Sequence, residues 1–295
     1  VSKLTEHIIK DVFNKRNTFE VTHPNGKLLL GRRTYVMGIL NVTPDSFYDG
    51  SKYNRLDKAV KYAVKMVQDG ADIIDVGGES TRPGAYPVSE NEETKRVIPI
   101  IKILSKYIHK PIAIDTYKSG VAIRAIDAGA SIINDIGGLQ YDRLMVNVAS
   151  EAKVPVIIMH KKGKTRTKQK YSGYKNLLKE IISYFRKSVT IATSAGVKKN
   201  RIIIDPGIGF GKTGKHNLKI LQKLQEFQCL GFPILIGTSR KRFIGDILKA
   251  PVHERLYGTL ATIAVAVMNG AHIVRVHDVR ETVHVIKICD AIRNC

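Results

Sequence analysis

Short apolar runs alternate along the chain with longer stretches in which apolar residues recur every three or four positions. The runs Tyr35 to Asn41, Asp72 to Gly77, Pro111 to Asp115, Ser131 to Asp135, Pro155 to His160, Arg201 to Asp205, Pro233 to Gly237 and His272 to His277 predict eight buried strands. The stretches between them are amphipathic. In RLDKAVKYAVKMVQDG, Ala59, Val60, Ala63, Val64 and Val67 share one helical face, and Gly70 stands where a helix-ending glycine belongs. In VSENEETKRVIPIIKIL, Ser89 and Glu92 have the spacing of a capping box. Ahead of the first run, TFEVTHPNGKLLL predicts two strands around a PNG turn, a small hairpin that follows a helical N-terminal segment.

One pattern repeats. GADIID begins at Gly70, GASIIN at Gly129 and GAHIVR at Gly270, each a helix-ending glycine followed by a short strand. Five residues past the glycine stand Asp75, Asn134 and Arg275, so one offset carries three different polar groups to the same end of a sheet. Common loop chemistry accounts for the GA dipeptides but not for the polar strand ends. Most strands run into groups able to bind or react: Asn41, Asp75, Asp115, Asn134 with Asp135, His160, Asp205, Gly237 with Thr238 and Ser239, and Arg275 with His277. In a (β/α)8 barrel the carboxyl ends of all strands form the active-site rim. A doubly wound open sheet would instead concentrate its site at a switch point. The expected class is therefore α/β, a (β/α)8 TIM barrel over residues 35–295, with residues 1–34 a helix and β-hairpin extension packed on it. A length of 295 residues is compatible with one such domain.

Composition narrows the setting. Lys plus Arg number 48 against 26 for Asp plus Glu, a net charge of +22. Such a field suits a nucleic acid or an anionic small molecule, and lysines decorating solvated faces explain it equally well. KKGKTRTKQK, residues 161–170, has no acid and no interleaved aromatics for base stacking, so a nucleic-acid partner is not favoured. The three cysteines, Cys229, Cys289 and Cys295, form no CxxC spacing and read as free thiols of a reducing, cytoplasmic protein. No apolar stretch approaches the roughly 20 residues of a membrane span, and the N-terminus lacks a signal-peptide pattern.

Several chemistries compete for the strand ends. GFGKTG at 209–214 follows a strand as a dinucleotide motif would, but Asp205 would face the pyrophosphate and no strand-ending acid appears about twenty residues on. It reads instead as a flexible loop with Phe210 able to wall a ligand. A zinc hydrolase would need clustered histidines, whereas His160 and His277 lie on separate strands. Arg275 and His277 alternate onto one face and suit an anion. Asp115 and Asp205 belong to the third and sixth strands, so a shared proton is not implied. Asp205 with Asn134 offers the alternating acceptors and donors that match the edge of a planar heterocycle. TSRKRFIG at 238–245 is either a charged loop with a helix start or a lysine reaching the rim with cations near a phosphate. GGESTRPG at 77–84 is a Gly and Pro punctuated loop of the kind that carries function on barrels.

Taken in order, MGILNVTPDSF, DVGGESTRPG, IDTYKS, INDIGG, MH, DPGIGFGK, GTSRK and RVHDV resemble the dihydropteroate synthase family, from about Tyr35 to the C-terminus. The resemblance implies a (β/α)8 barrel, usually a homodimer, that condenses 6-hydroxymethyl-7,8-dihydropterin pyrophosphate with 4-aminobenzoate in folate biosynthesis. Release of pyrophosphate is assisted by Mg2+, and sulfonamides target the family. Carried over by position, Asp115, Asn134, Met159, Asp205, Lys241 and Arg275 become the pterin pocket. Asn41, Arg275 and His277 become the pyrophosphate pocket, with Asn41 an oxygen ligand for Mg2+. Thr81, Arg82, Pro83, Phe210, Lys241 and Arg242 fall around the aminobenzoate. Asn41, Lys241, Arg275 and His277 are the implied catalytic set, and Asp45 and Asp49 are expected to order the first loop. Arg242 stands where the family often has Ser, and the basic 161–170 loop is unusual. The nearest alternative, a pterin-binding methyltransferase barrel, would have little use for RVH, SRK and GGESTRPG.

Overall fold

A computed structural model describes residues 16–43, 52–80, 86–163 and 173–295. The expected N-terminal helix, most of the first loop with Asp45 and Asp49, the second-loop residues Thr81, Arg82 and Pro83, and most of the basic 161–170 stretch lie outside the described residues.

The chain first forms the predicted hairpin, β1 (Phe19–His23) and β2 (Gly26–Leu30), antiparallel with Phe19 opposite Leu30. Eight strands follow: β3 (Tyr35–Asn41), β4 (Ile73–Gly77), β5 (Ile112–Asp115), β6 (Ile132–Asp135), β7 (Val156–Met159), β8 (Ile202–Asp205), β9 (Leu235–Ile236) and β10 (Ile273–Val276). They pair in parallel in the order β8, β7, β6, β5, β4, β3, β10, β9. Ile204 N donates to Pro233 O at 3.0 Å and Ile204 bridges Ile234, which brings the two ends of the sheet together into a nearly closed barrel. β9 is shorter than the predicted Pro233 to Gly237 run. Pro233 has no N–H for the ladder and Ile234 N donates to the His272 ring, so although Ile234 O accepts from His272 N at 2.8 Å, the registered pairs with β10 start at Leu235.

Helices cover the outside: α1 (Lys52–Gln68), α2 (Glu90–Tyr107), α3 (Ser119–Asp127), α4 (Met145–Glu151), α5 (Leu177–Ser194), α6 (Gly214–Gln222), α7 (Arg242–Leu248), α8 (Leu256–Met268) and α9 (Val279–Arg293). Ala59 and Ala63 of α1 are buried as the periodicity predicts. Ser89 caps α2 by accepting from Glu92 N at 3.2 Å, but the Glu92 carboxylate turns to Arg96 Nε at 3.0 Å instead of reaching back toward Ser89.

Two features set the phase of the barrel. Gly70, Gly129 and Gly270 follow α1, α3 and α8 at φ +106°, +113° and +99°, the left-handed turn that glycine makes without steric penalty. At each, the glycine N–H returns to one helical carbonyl and the next residue's N–H to the carbonyl before it. For α8 these are Gly270 to Val267 at 3.1 Å and Ala271 to Ala266 at 2.9 Å. The second feature lies inside the barrel, where Met37, Ile73, Ala113, Ile132, Ile157, Ile203, Leu235 and Ile273, one residue from each of the eight strands, pack into an apolar floor. Val21, Leu28 and Leu30 of the hairpin close that floor from below. His272 ties the hairpin on, accepting from Ile234 N at 3.1 Å and meeting Asn17 O at 3.0 Å. Burial holds this imidazole neutral, its pKa lowered to about 3.

Candidate active site

Side chains alternate along a strand, so the residue two positions beyond each member of the apolar floor also faces the barrel interior. Those residues are Ile39, Asp75, Asp115, Asn134, Met159, Asp205, Gly237 and Arg275. The period-two step from an apolar floor thus produces a polar layer directly above it. Two more residues along β3 stands Asn41, and two beyond Arg275 stands His277.

The polar layer is interlocked. Arg275 donates through Nε to Asp75 Oδ2 at 2.5 Å and through Nη2 to Asp115 Oδ2 at 2.6 Å. Asn134 Nδ2 donates to the same Asp75 oxygen at 3.1 Å. Of the three residues that share the GA offset in sequence, Asn134 and Arg275 therefore both bond Asp75 in space. Burial raises Asp115 to about 7, with Arg275 opposing the rise and Asp75 adding to it. Arg275, between two carboxylates, is held protonated well above its ordinary value, although burial alone would lower it. Asp75 Oδ1 and Asp115 Oδ1 are buried with no hydrogen-bond partner. Acceptors stranded in this way favour a ligand that brings donors. Asp205 is raised by burial, and its Oδ1 accepts from Gly207 N at 2.8 Å.

Around the rim, Gly77 lies between Asn41 and Asp115 in the strand register. A Cβ there would stand 3.8 Å from Asn41 Oδ1 and 3.5 Å from Asp115 Cβ, so its absence leaves space between the two polar groups. His277 N donates to Ser239 Oγ at 3.2 Å, and the same hydroxyl lies 2.9 Å from His277 Nδ1. Oγ has two lone pairs and one proton, so the Nε2–H tautomer is the one in which Oγ–H donates to Nδ1. Burial, then Arg275, lowers His277 to about 4, so the ring is neutral and not the second cation its place beside Arg275 allowed.

The three consecutive cations of TSRKRFIG have three different fates. Arg240, at φ +54°, forks onto Asp278 at 3.0 and 2.6 Å and fixes the turn. Lys241 enters the site, its Nζ 4.3 Å from the Phe210 ring centre; burial, then Arg275, lowers its amine to about 8. The Arg242 side chain is 77% exposed and, among the described residues, pairs with Asp246 at 3.6 Å, apart from the buried cluster. Met159 is buried in the polar layer, and Phe210 lies between Lys241 and Lys161, the latter 5.7 Å away.

The sequence placed Asp75 among the strand-end groups able to bind or react but assigned it to no ligand, although its offset from Gly70 matches those of Asn134 and Arg275. Ser239 was likewise named without a ligand, and Lys118, which pairs with both Glu79 and Glu93 and secures the start of the second loop, was not named at all. The stretch after β8 differs from the flexible loop expected of it: Lys212 Nζ binds Gly207 O at 2.9 Å and Phe210 O at 3.1 Å, and Gly209 N binds Asn217 Oδ1 at 2.9 Å. Among the described residues, no group of three or more His, Cys, Asp or Glu is arranged to hold a metal, and no helix is long and apolar enough to cross a membrane.

A barrel closed below by an apolar floor, with carboxylates, an amide and cations gathered at the carboxyl ends of its strands, has the layout of a barrel enzyme. Comparison with known proteins agrees. The family described as pterin binding enzyme matches residues 37–277. The dihydropteroate synthase of Bacillus subtilis is 52% identical over 262 residues, covering 89% of this chain and 90% of its own. The crystal structure of the Yersinia pestis dihydropteroate synthase in a sulfonamide complex superposes with a TM-score of 0.87 at 41% identity, covering 94% and 99% of the two chains. That of Xanthomonas albilineans with 4-aminobenzoic acid gives 0.88 at 36% identity, covering 95% and 100%. The chain belongs to the pterin-binding enzyme family and, within it, to the dihydropteroate synthases.

Proposed function

We propose that this chain condenses 6-hydroxymethyl-7,8-dihydropterin pyrophosphate with 4-aminobenzoate, giving 7,8-dihydropteroate and pyrophosphate for folate synthesis. The observation that carries the reading is the buried layer in which Asp75, Asp115, Asn134 and Arg275 are bonded together next to Asp205. In this reading Asp205 accepts from the N3 and 2-amino hydrogens of the pterin, while Asn134 and Lys241 meet its other edge atoms. Met159 lines the same pocket. Arg275 and the Nε2–H of His277 face the pyrophosphate and stabilise charge as the C–O bond to the methylene breaks. The cationic methylene, spread over the pterin ring, is flanked by the Asp115 carboxylate. The aryl amine attacks it, forming the C–N bond and losing one proton, so no protein nucleophile is required. Phe210 and Lys241 wall the aminobenzoate together with Thr81, Arg82 and Pro83, where a sulfonamide would compete. Arg242 is assigned to the outer edge of that subsite. Asp45 and Asp49 are assigned to ordering the first loop.

The donor set near Gly77 fits Mg2+ only as a partner of the diphosphate. Asn41 Oδ1 supplies one hard oxygen beside an open space, and Mg2+ commonly completes its shell with water and substrate phosphates. When bound, the ion would neutralise charge on the leaving group. The exposed groove between α6 and α8, with Leu218, Ala261 and Val265 along it, supports a homodimer. Free cysteines support a cytoplasmic setting. The test is pyrophosphate release from the pterin pyrophosphate, with and without 4-aminobenzoate and Mg2+. Dihydropteroate is expected only with all three, and its absence from the complete mixture overturns the assignment.

A further inference from the structure

Next to the polar layer is a buried lysine with no part in the chemistry above. Lys212 is 3% exposed. Its Nζ lies 2.9 Å from Gly207 O, 3.1 Å from Phe210 O, 3.3 Å from His160 O and 2.9 Å from His160 Nδ1. His160 is itself buried and neutral, its pKa lowered to about 2 by burial first and by Lys212 next, so Nδ1 presents a lone pair to the amine. All four neighbours are acceptors, and an ammonium group has three donors to distribute among them. Burial lowers the Lys212 amine to about 7, with Asp205 acting against the fall.

The backbone is shaped to this cation. Gly207 and Gly211 adopt φ +69° and +65°, and a Cβ would fall 2.0 Å from His160 O at the first and 2.3 Å from Lys162 O at the second. Only glycine allows the loop to lie this close to the exit of β7 while its carbonyls turn inward to the amine. The loop places Phe210 against Lys241, and Lys241 Cδ lies 3.3 Å from the Cβ position of Gly209. A buried lysine is rare unless it is paired, and an apolar side chain of similar length would fill the volume without desolvating a charge. Its polar contacts, rather than its bulk, therefore explain its presence.

We infer that Lys212 is a positioning residue, the peg around which residues 206–211 wind, and that it thereby holds Phe210 at the edge of the aminobenzoate subsite. The inference rests on the proposed function. Lys212→Met retains length and removes the donors. It is expected to raise the KM for 4-aminobenzoate about tenfold or more, with kcat at saturating aminobenzoate and the KM for the pterin pyrophosphate within about threefold. His160→Ala removes one acceptor and leaves the amine with three carbonyls. It is expected to raise the aminobenzoate KM by about fivefold with the KM for the pterin pyrophosphate unchanged, and it decides the question should Lys212→Met not fold. Unchanged aminobenzoate KM in the folded variants, or an equal rise in both KM values, overturns the inference while wild-type turnover still upholds the function. Wild-type protein that forms no dihydropteroate overturns the function itself.

Discussion

Asp75 is the node of the buried layer, and replacing it with asparagine tests whether that layer organises the site. Its Oδ2 accepts from Arg275 Nε at 2.5 Å and Asn134 Nδ2 at 3.1 Å, with the residue fully buried. Asn at this position keeps the volume, and its one oxygen can stand in for Oδ2 and accept from both donors, but the bond to Arg275 loses its ionic character and the new NH2 is buried where Oδ1 has no partner. Losing one charge-assisted bond costs about 1.5–3 kcal/mol, and stranding a buried donor about 1–3 kcal/mol. Arg275 recovers part of this through Asp115 Oδ2 at 2.6 Å. The expected net loss is about 3 kcal/mol of unfolding free energy, read from urea denaturation with an unchanged slope. The same atoms aim Arg275 and Asn134 at the ligand, so kcat/KM should fall about 100-fold, equivalent to about 2.7 kcal/mol. Removing the Asp75 charge also eases ionisation of Asp115, which works against the loss without restoring the ionic bond that holds Arg275. A stability change under about 1 kcal/mol together with kcat/KM within about threefold of wild type would refute the reasoning.

Further expectations follow from the rim and from the floor. Lys241, lowered to about 8, is protonated and a full donor below that pH; pterin pyrophosphate affinity in calorimetry should be strongest there and decline as pH rises through about 8. Lys241→Arg should abolish that decline, and a decline that persists would assign it elsewhere. Asn41→Ala should weaken Mg2+-dependent pyrophosphate binding by about tenfold with the melting temperature unchanged, and equal binding with and without the substitution would remove Asn41 from the metal role. Leu30, 1% exposed in the hairpin, should cost about 2–5 kcal/mol as Leu30→Ala while kcat/KM stays near wild type, because it packs on the end opposite the site. A kinetic defect as large as the loss of stability would contradict that separation.

The strands were legible because both faces of each are buried, which leaves short apolar runs bounded by turn residues. The barrel was legible from polar residues at nearly every strand end, and the hairpin from its PNG turn. The bonds among Asp75, Asn134 and Arg275 were not legible. Periodicity gives the direction a side chain faces, whereas its neighbours depend on strand order and register. Arg240, Lys241 and Arg242 look alike in sequence, and only the left-handed turn at Arg240 separates a structural fork, a site lysine and a solvent arginine. Lys212 was hidden because lysine is ordinarily a surface residue. The signal for it was the alternation of glycines at 207, 209 and 211, which is more than a mobile loop requires.

The glycines that end α1, α3 and α8 have a consequence for how this sequence can change over time. Each restarts the count of residues, and the polar group arrives five positions later whatever the length of the helix before it. Insertions or deletions within those helices leave the chemistry in phase. A single residue gained between Gly70 and Asp75 would turn the carboxylate out of the barrel. The chain is thus divided into segments free to drift in length and short rulers that are not, and the rulers at Gly70, Gly129 and Gly270 are where an indel would be lethal to activity while sparing the fold's outline.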